Sequence, residues 1–480
     1  MEKRYGLVTA TCMVVGIVIG SGVFFKAQTV LQATEGNMPL GILAWLIGGG
    51  IMLVCALAFA TMATKYEKVN GVVDYAENTV GKKYAYLIGW FLSTIYYPNL
   101  TAVLAWLSAR YTLVFCQSVN PDLELSEGGA VTGTECMVLA LLYLCGSYGL
   151  NALSPKLAGH FQVGTTIIKL IPLGLMAVVG ILYGLSTGQL LENFTAEAQI
   201  GTAADEVRVN PLFGAVVATS FAYEGWIVAT SINAELKNAK RNLPIALILG
   251  AIIVISVYVW YYIGVAGGAS NQQLIQEGAT VAFLNIFGGV FGNILNLFIA
   301  ISCVGTLNGL MLGCTRGMYS VAARGEGPKA DVFCQVDPVT KMAYNSSIFG
   351  LLACAVWFVF YYGANLAPKS WFGVFSFDSS ELPIVTIYAL YIPIFINFMR
   401  YGKEFSLLKR ILIPCLAIGG SVFMMIAAVF AHGVKPFLQA QAKGEFSMPV
   451  LFYLLIFAVI MAAGILLNRE KKQEIGKKEG

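Results

Sequence analysis

Apolar residues in this chain come in long runs separated by short polar stretches. Twelve runs fall at about 7–33, 39–64, 84–116, 131–152, 155–184, 211–234, 243–268, 279–312, 343–364, 371–399, 407–431 and 448–468. Each approaches or exceeds the roughly 20 helical residues that span a bilayer core. Inside lipid, backbone N–H and C=O groups must be satisfied within the segment itself, so these runs predict helices. A membrane barrel would instead show short alternating strands, which are absent from the pattern. The expected fold class is an all-α polytopic membrane protein with 12 transmembrane helices, forming one domain over residues 1–480.

Composition agrees with that pattern. The chain is 58% hydrophobic and 12% charged, about half the charged share of a soluble protein. Charge placement adds an orientation. Most of the 30 Lys and Arg residues fall in alternate connections when the N-terminus is put in the cytoplasm. The positive-inside rule then places both termini there. The first run is too long for a signal-peptide core and reads as a retained span. The 117–135 and 185–210 connections are moderately acidic, and no soluble domain is inserted anywhere. That weighs against a receptor or a tethered enzyme.

Residue chemistry excludes further classes. Two histidines cannot build a His-rich metal site, and no CxxC, HExxH or P-loop pattern occurs. We therefore expect no enzyme activity, no cofactor, no metal and no nucleic-acid partner. Most of the ten cysteines lie in apolar runs as small core residues. Cys116 and Cys136 bracket one external loop, and their spacing leaves pairing open.

Two runs carry breaks. The first contains Val18-Ile19-Gly20-Ser21-Gly22, with three glycines between 16 and 22. Each glycine weakens a helix interior by roughly 1 kcal/mol relative to alanine. The sixth contains Phe221-Ala222-Tyr223-Glu224-Gly225-Trp226. An ionised acid at that depth costs roughly 2.5–3.5 kcal/mol unless it meets protein or water. Either feature alone also suits helix packing or a protonated core acid. Together they occupy matching positions in two five-span halves, 7–184 and 211–399, which is the mark of an inverted-repeat transporter. Residues 407–468 add two more helices. A broken helix frees N–H groups that suit a carboxylate and C=O groups that suit an ammonium. An α-amino acid offers both.

These residues resemble the amino acid–polyamine–organocation superfamily, and more narrowly the L-type amino acid transporter family with its bacterial serine/threonine-exchanger-like branch. The motifs are Ile19 to Phe24, Phe221 to Trp226, the turn from Glu235 to Pro244, and the loop from Arg316 to Pro328. The resemblance implies the leucine-transporter fold, a 5+5 inverted repeat with helices 1 and 6 broken. It implies that N–H groups of Ser21 and Gly22 bind the substrate carboxylate. It also implies that carbonyls near Val18, Ile19, Phe221, Ala222 and Glu224 receive the amino group. Lys156 resembles a lysine whose ammonium replaces sodium between the first, fifth and eighth helices, with Ser302 and Thr306 supplying hydroxyls; an interfacial snorkelling lysine is the alternative. The role of Lys169 stays open.

Departures matter as well. Many members of the family it resembles carry a small residue or aspartate where Glu224 stands. They also carry a tyrosine late in the seventh helix, and that role passes to none of Tyr258, Tyr261 and Tyr262. Tyr96, Tyr97 and Trp226 are candidate cavity residues. His160, one turn beyond Lys156, is a weaker candidate for a proton relay. Asp378 and Glu381 read as solvated residues at the outer mouth. The expected function is sodium-independent exchange of small or medium neutral L-amino acids by alternating access at the cell membrane. A proton-coupled symporter and an amino-acid sensor are the alternatives. No cysteine lies inside 117–135, so no heavy-chain partner is expected.

Overall fold

The computed structural model describes residues 6–66, 71–153, 155–196, 210–227, 236–338 and 342–478. The Lys156 and His160 side chains and residue Glu235 lie outside the described set. Among the described residues the chain is helical, and ten helices are long and apolar enough to cross a membrane.

The first predicted span is two helices, α1 (Leu7–Val18) and α2 (Gly22–Ala33). Then come α3 (Met38–Ala63), α4 (Lys82–Val119), α5 (Gly129–Leu153) and α6 (Pro155–Leu175), the last continuing through a π-turn to Thr187. The second half holds α7 (Pro211–Ala222), α8 (Ala239–Gly268), α9 (Ala279–Ala322), α10 (Tyr344–Leu366) and α11 (Leu382–Tyr401). Helices α12 (Leu408–Ala442) and α13 (Pro449–Asn468) complete the bundle.

Local chemistry explains several boundaries. The Asn37 side chain accepts from Leu40 N–H at 2.9 Å, which caps α3. Asn210 does the same for Leu212 N–H at 3.0 Å, and Pro211 opens α7, where its missing N–H costs nothing. Helix α9 is two helices joined across Gly288 (φ 74°, ψ 177°). It runs past its expected end at 312, so Arg316 is helical and not the start of a loop. Beyond it, the Arg324 guanidinium pairs with Asp74 and Glu77, the latter at 2.7 Å, tying the 323–328 loop to the short Val72–Thr79 helix.

The ten continuous helices match ten of the twelve predicted spans. The two spans outside that set, 7–33 and 211–234, are those predicted to break. Helix α1 stops where Ile19 turns to extended backbone (φ −68°, ψ 103°). Helix α7 stops at Tyr223, and Gly225 takes φ +100°, a conformation that disfavours any side chain. Close helix contact relies on small residues here too. A Cβ at Gly264 of α8 would sit 2.0 Å from the Met176 carbonyl, so α8 meets the π-turn after α6 backbone to backbone.

Candidate functional site

The two breaks touch. A Cβ at Gly22 would lie 2.7 Å from Ala222 Cα and 3.2 Å from the Phe221 carbonyl oxygen. The start of α2 and the end of α7 therefore meet as bare backbone. Among the described residues, no backbone carbonyl accepts from the N–H of Ser21 or Gly22. The Ser21 carbonyl accepts from both Phe24 and Phe25 N–H at 3.1 Å, which turns the chain into α2. Two donors thus sit free at a helix N-terminus in a buried site, the arrangement that favours an anion.

The matching acceptors have a shared neighbour. The Tyr258 hydroxyl of α8 lies 3.0 Å from the Val18 carbonyl and 3.0 Å from the Ala222 carbonyl. Both are carbonyls at the broken ends. One hydroxyl proton serves one of them at a time, and each carbonyl keeps a lone pair for another donor. Tyr258 is fully buried and packs tilted against Tyr223 (5.2 Å) and edge-on against Trp45 (5.6 Å). The Tyr223 hydroxyl in turn donates to the Trp45 carbonyl at 2.9 Å, which ties the second break to α3. Nothing in the local sequence separates Tyr258 from Tyr261 and Tyr262; its role depends on contacts 36 and 240 residues away.

Helix α9 closes the other side of the first break. A Cβ at Gly20 would sit 2.7 Å from Thr306 Oγ1. Thr306 donates to the Ser302 carbonyl at 2.9 Å. The Ser302 hydroxyl is buried without a partner, and the buried Ser21 hydroxyl faces the Cys303 thiol. The lysine of α6 that demonstrably reaches the first helix is Lys169. It is fully buried, and its Nζ donates to the Gly16 carbonyl. One turn before it, Thr165 packs on Gly305 of α9. The sequence marks Lys169 only by its depth in an apolar run.

Glu224 is 8% exposed, and its carboxylate faces the Tyr96 hydroxyl and the Gly225 N–H. Trp226 is buried against Phe59 (5.7 Å) and Tyr391 (6.0 Å), with its indole N–H towards the Tyr388 hydroxyl. Tyr96 ends a π-turn at Leu92–Tyr96 and buries its hydroxyl towards Glu224; Pro98 opens the following helical stretch.

One expectation is corrected. Glu381 is not a solvated mouth residue: it is 4% exposed. Its carboxylate pairs with Lys26 Nζ at 2.5 Å and with His432 Nε2 at 2.9 Å. Lys26 also lies over the Phe25 and Phe221 rings, 5.0 and 5.3 Å away. Asp378 is bonded too, accepting from Ser380 N–H (2.7 Å) and Oγ (2.6 Å). Burial requires such acids to be paired. The pairing spans 355 residues of chain, so no sequence window shows it. Cys116 and Cys136 are both free. Among the described residues no cluster of His, Cys, Asp or Glu could hold a metal.

Comparison with known proteins places this geometry. The amino acid permease family profile matches residues 5–460. The serine/threonine exchanger SteT of Bacillus subtilis (strain 168) is 29% identical over 436 residues, covering 88% of this chain and 91% of SteT. The human large neutral amino acids transporter small subunit 2 is 28% identical over 350 residues, covering 71% of this chain and 62% of that protein. The crystal structure of MhsT in complex with L-phenylalanine shares the fold, with a TM-score of 0.57 at 14% identity over 90% of this chain and 100% of that one. With its apolar helices and a family match over nearly its whole length, this chain is a multi-pass membrane protein of the amino acid permease family, in the amino acid–polyamine–organocation superfamily.

Proposed function

We propose that this chain is a sodium-independent exchanger of small or medium neutral L-amino acids, serine-, threonine- and alanine-like, working by alternating access. The observation that carries this reading is the meeting of the two breaks, with free N–H groups at Ser21 and Gly22 against carbonyls at Val18 and Ala222. Such a clamp binds the zwitterion shared by all amino acids. The names of the relatives, an exchanger and an amino acid transporter subunit, support the same reading.

In this reading the chain has twelve spans, the two broken ones included. Residues 7–184 and 211–399 form inverted repeats, and 407–468 adds two helices. Both termini face the cytoplasm of a cell-membrane transporter that works without a heavy chain and converts no substrate chemically. The sodium-replacing ammonium is Lys169: it is buried, joins α6 to α1, and lies beside the α9 contact at Gly305. Ser302 and Thr306 line the same side of the break. A proton-coupled symporter is the second reading, favoured by the buried Glu224, which has no cationic partner among the described residues.

Purified protein in liposomes tests both. Uptake of labelled amino acid that needs unlabelled amino acid inside, and no sodium, is the exchange result. Uptake into empty liposomes driven by a proton gradient would replace exchange with symport.

A further inference from the structure

We infer that His432 is a proton-binding positioning residue: a proton taken up there completes a buried ion cluster that docks α2, the helix starting at the Ser21 and Gly22 N–H groups, against α11 and α12. The effect on transport rests on the exchange reading above; the proton site does not.

The cluster joins elements far apart in the chain. Lys26 stands one turn after Gly22 on α2 and pairs with Glu381 Oε1 at 2.5 Å, at the start of α11. The other oxygen of that carboxylate meets His432 Nε2 at 2.9 Å, in the π-turn Phe430–Val434 of α12. Ser380 brings in a second acid: its hydroxyl donates to Asp378 at 2.6 Å and accepts from Lys26 Nζ at 3.3 Å.

These charges balance only when His432 carries a proton. The groups facing its imidazole are two acids, Glu381 and Asp378, and one cation, Lys26. Arg110 of α4 turns instead to the Phe25 and Trp106 rings, 5.9 and 5.5 Å away. Lys435 follows on His432's own helix and forms no ion pair among the described residues. The other helices against this turn bring no charged side chain: Phe213 of α7 stacks on Phe430 at 5.1 Å, and Val450 of α13 lies against Gly433. Two carboxylates and one ammonium leave a buried negative charge uncompensated, which is costly. An imidazolium cancels it and makes the contact to Glu381 charge-assisted.

The proton has a way in. The His432 side chain is 16% exposed, whereas those of Lys26 and Glu381 are 2% and 6% exposed. Histidine is also the side chain that ordinarily titrates between about pH 5 and 8. With the proton on, Glu381 is gripped by a cation on each oxygen, and α2 is held more firmly. Alternating access closes one face of the site as the other opens, so a firmer hold on α2 slows the step in which it must let go.

The test uses the full-length protein at equal pH on both sides of the liposome, so that no proton gradient drives uptake, and in parallel its unfolding in detergent. Between about pH 8 and about pH 6, exchange by the wild type at saturating amino acid slows about 10-fold, as one added charge-assisted hydrogen bond implies. Its unfolding temperature rises by about 2–4 °C over the same range. His432→Gln, neutral throughout, loses both responses and stays near the high-pH values. His432→Lys, charged throughout, stays near the low-pH values. His160→Gln removes the other of the two histidines in the sequence and keeps both responses. A wild type that is flat in both measurements, a His432→Gln variant that keeps the wild-type slopes, or exchange that quickens as the pH falls overturns the inference and leaves the exchanger standing. A wild type that takes up no amino acid, but whose unfolding still responds to pH through His432, overturns the exchange reading and leaves the proton site standing.

Discussion

Replacing Glu381 with glutamine is a direct probe of how α2, α11 and α12 are held together. The native carboxylate joins Lys26 of α2 and His432 of α12, and the Lys26 and Glu381 side chains are only 2% and 6% exposed. Glutamine keeps the shape but turns one oxygen into a donor facing another donor. Lys26 is then left with the Ser380 hydroxyl at 3.3 Å and the faces of Phe25 and Phe221. Removing one partner of a buried pair costs about 3–5 kcal/mol. The aromatic contacts are made in both forms and cancel in the difference, leaving an expected loss on the order of 3–5 kcal/mol. Thermal or denaturant unfolding in detergent reads the effect. The double variant Lys26→Met/Glu381→Gln removes both charges and recovers most of the stability, because the stranded ammonium is gone. A single variant as stable as wild type, or a double variant whose losses simply add, would refute the buried-pair reasoning.

Three further substitutions test the site. Gly22→Ala forces a Cβ to within 2.7 Å of Ala222 Cα; strain of about 1–3 kcal/mol should weaken amino-acid binding roughly 5- to 100-fold in equilibrium binding measurements. Lys169→Met removes the ammonium that reaches the Gly16 carbonyl, and the lost charged hydrogen bond should lower exchange rates about 10-fold or more in liposome assays; unchanged rates would leave Lys169 a packing residue. Tyr258→Phe strips the hydroxyl shared by the Val18 and Ala222 carbonyls and should cost about 1–3 kcal/mol, seen as a lower unfolding temperature and weaker substrate affinity together.

Features that depend on local composition were readable from the sequence. Long apolar runs predict the helices, and Gly20-Ser21-Gly22 and Glu224-Gly225 predict where two of them stop, because glycine and a buried acid act on the backbone they belong to. Features set by distant partners were not readable. Glu381 looks solvated until Lys26 and His432 are brought to it. Tyr258 looks like its neighbours until α1 and α7 end beside it. Lys169 and Lys156 share one helix, and only the fold shows that the Lys169 ammonium meets Gly16. The end of α9 was misplaced because polar Arg316 suggests a loop, whereas packing carries the helix to Ala322.

The central claim is that the two breaks together form the amino-acid site. A structure of the full-length protein with a transported amino acid bound tests it most directly. The account predicts the α-carboxylate within about 3.2 Å of the Ser21 and Gly22 N–H groups, and the α-ammonium against the carbonyls of α1 and α7 near Val18, Ile19, Phe221 and Ala222. An amino acid bound elsewhere, or one at this site with its carboxylate turned away from Ser21 and Gly22, would contradict it.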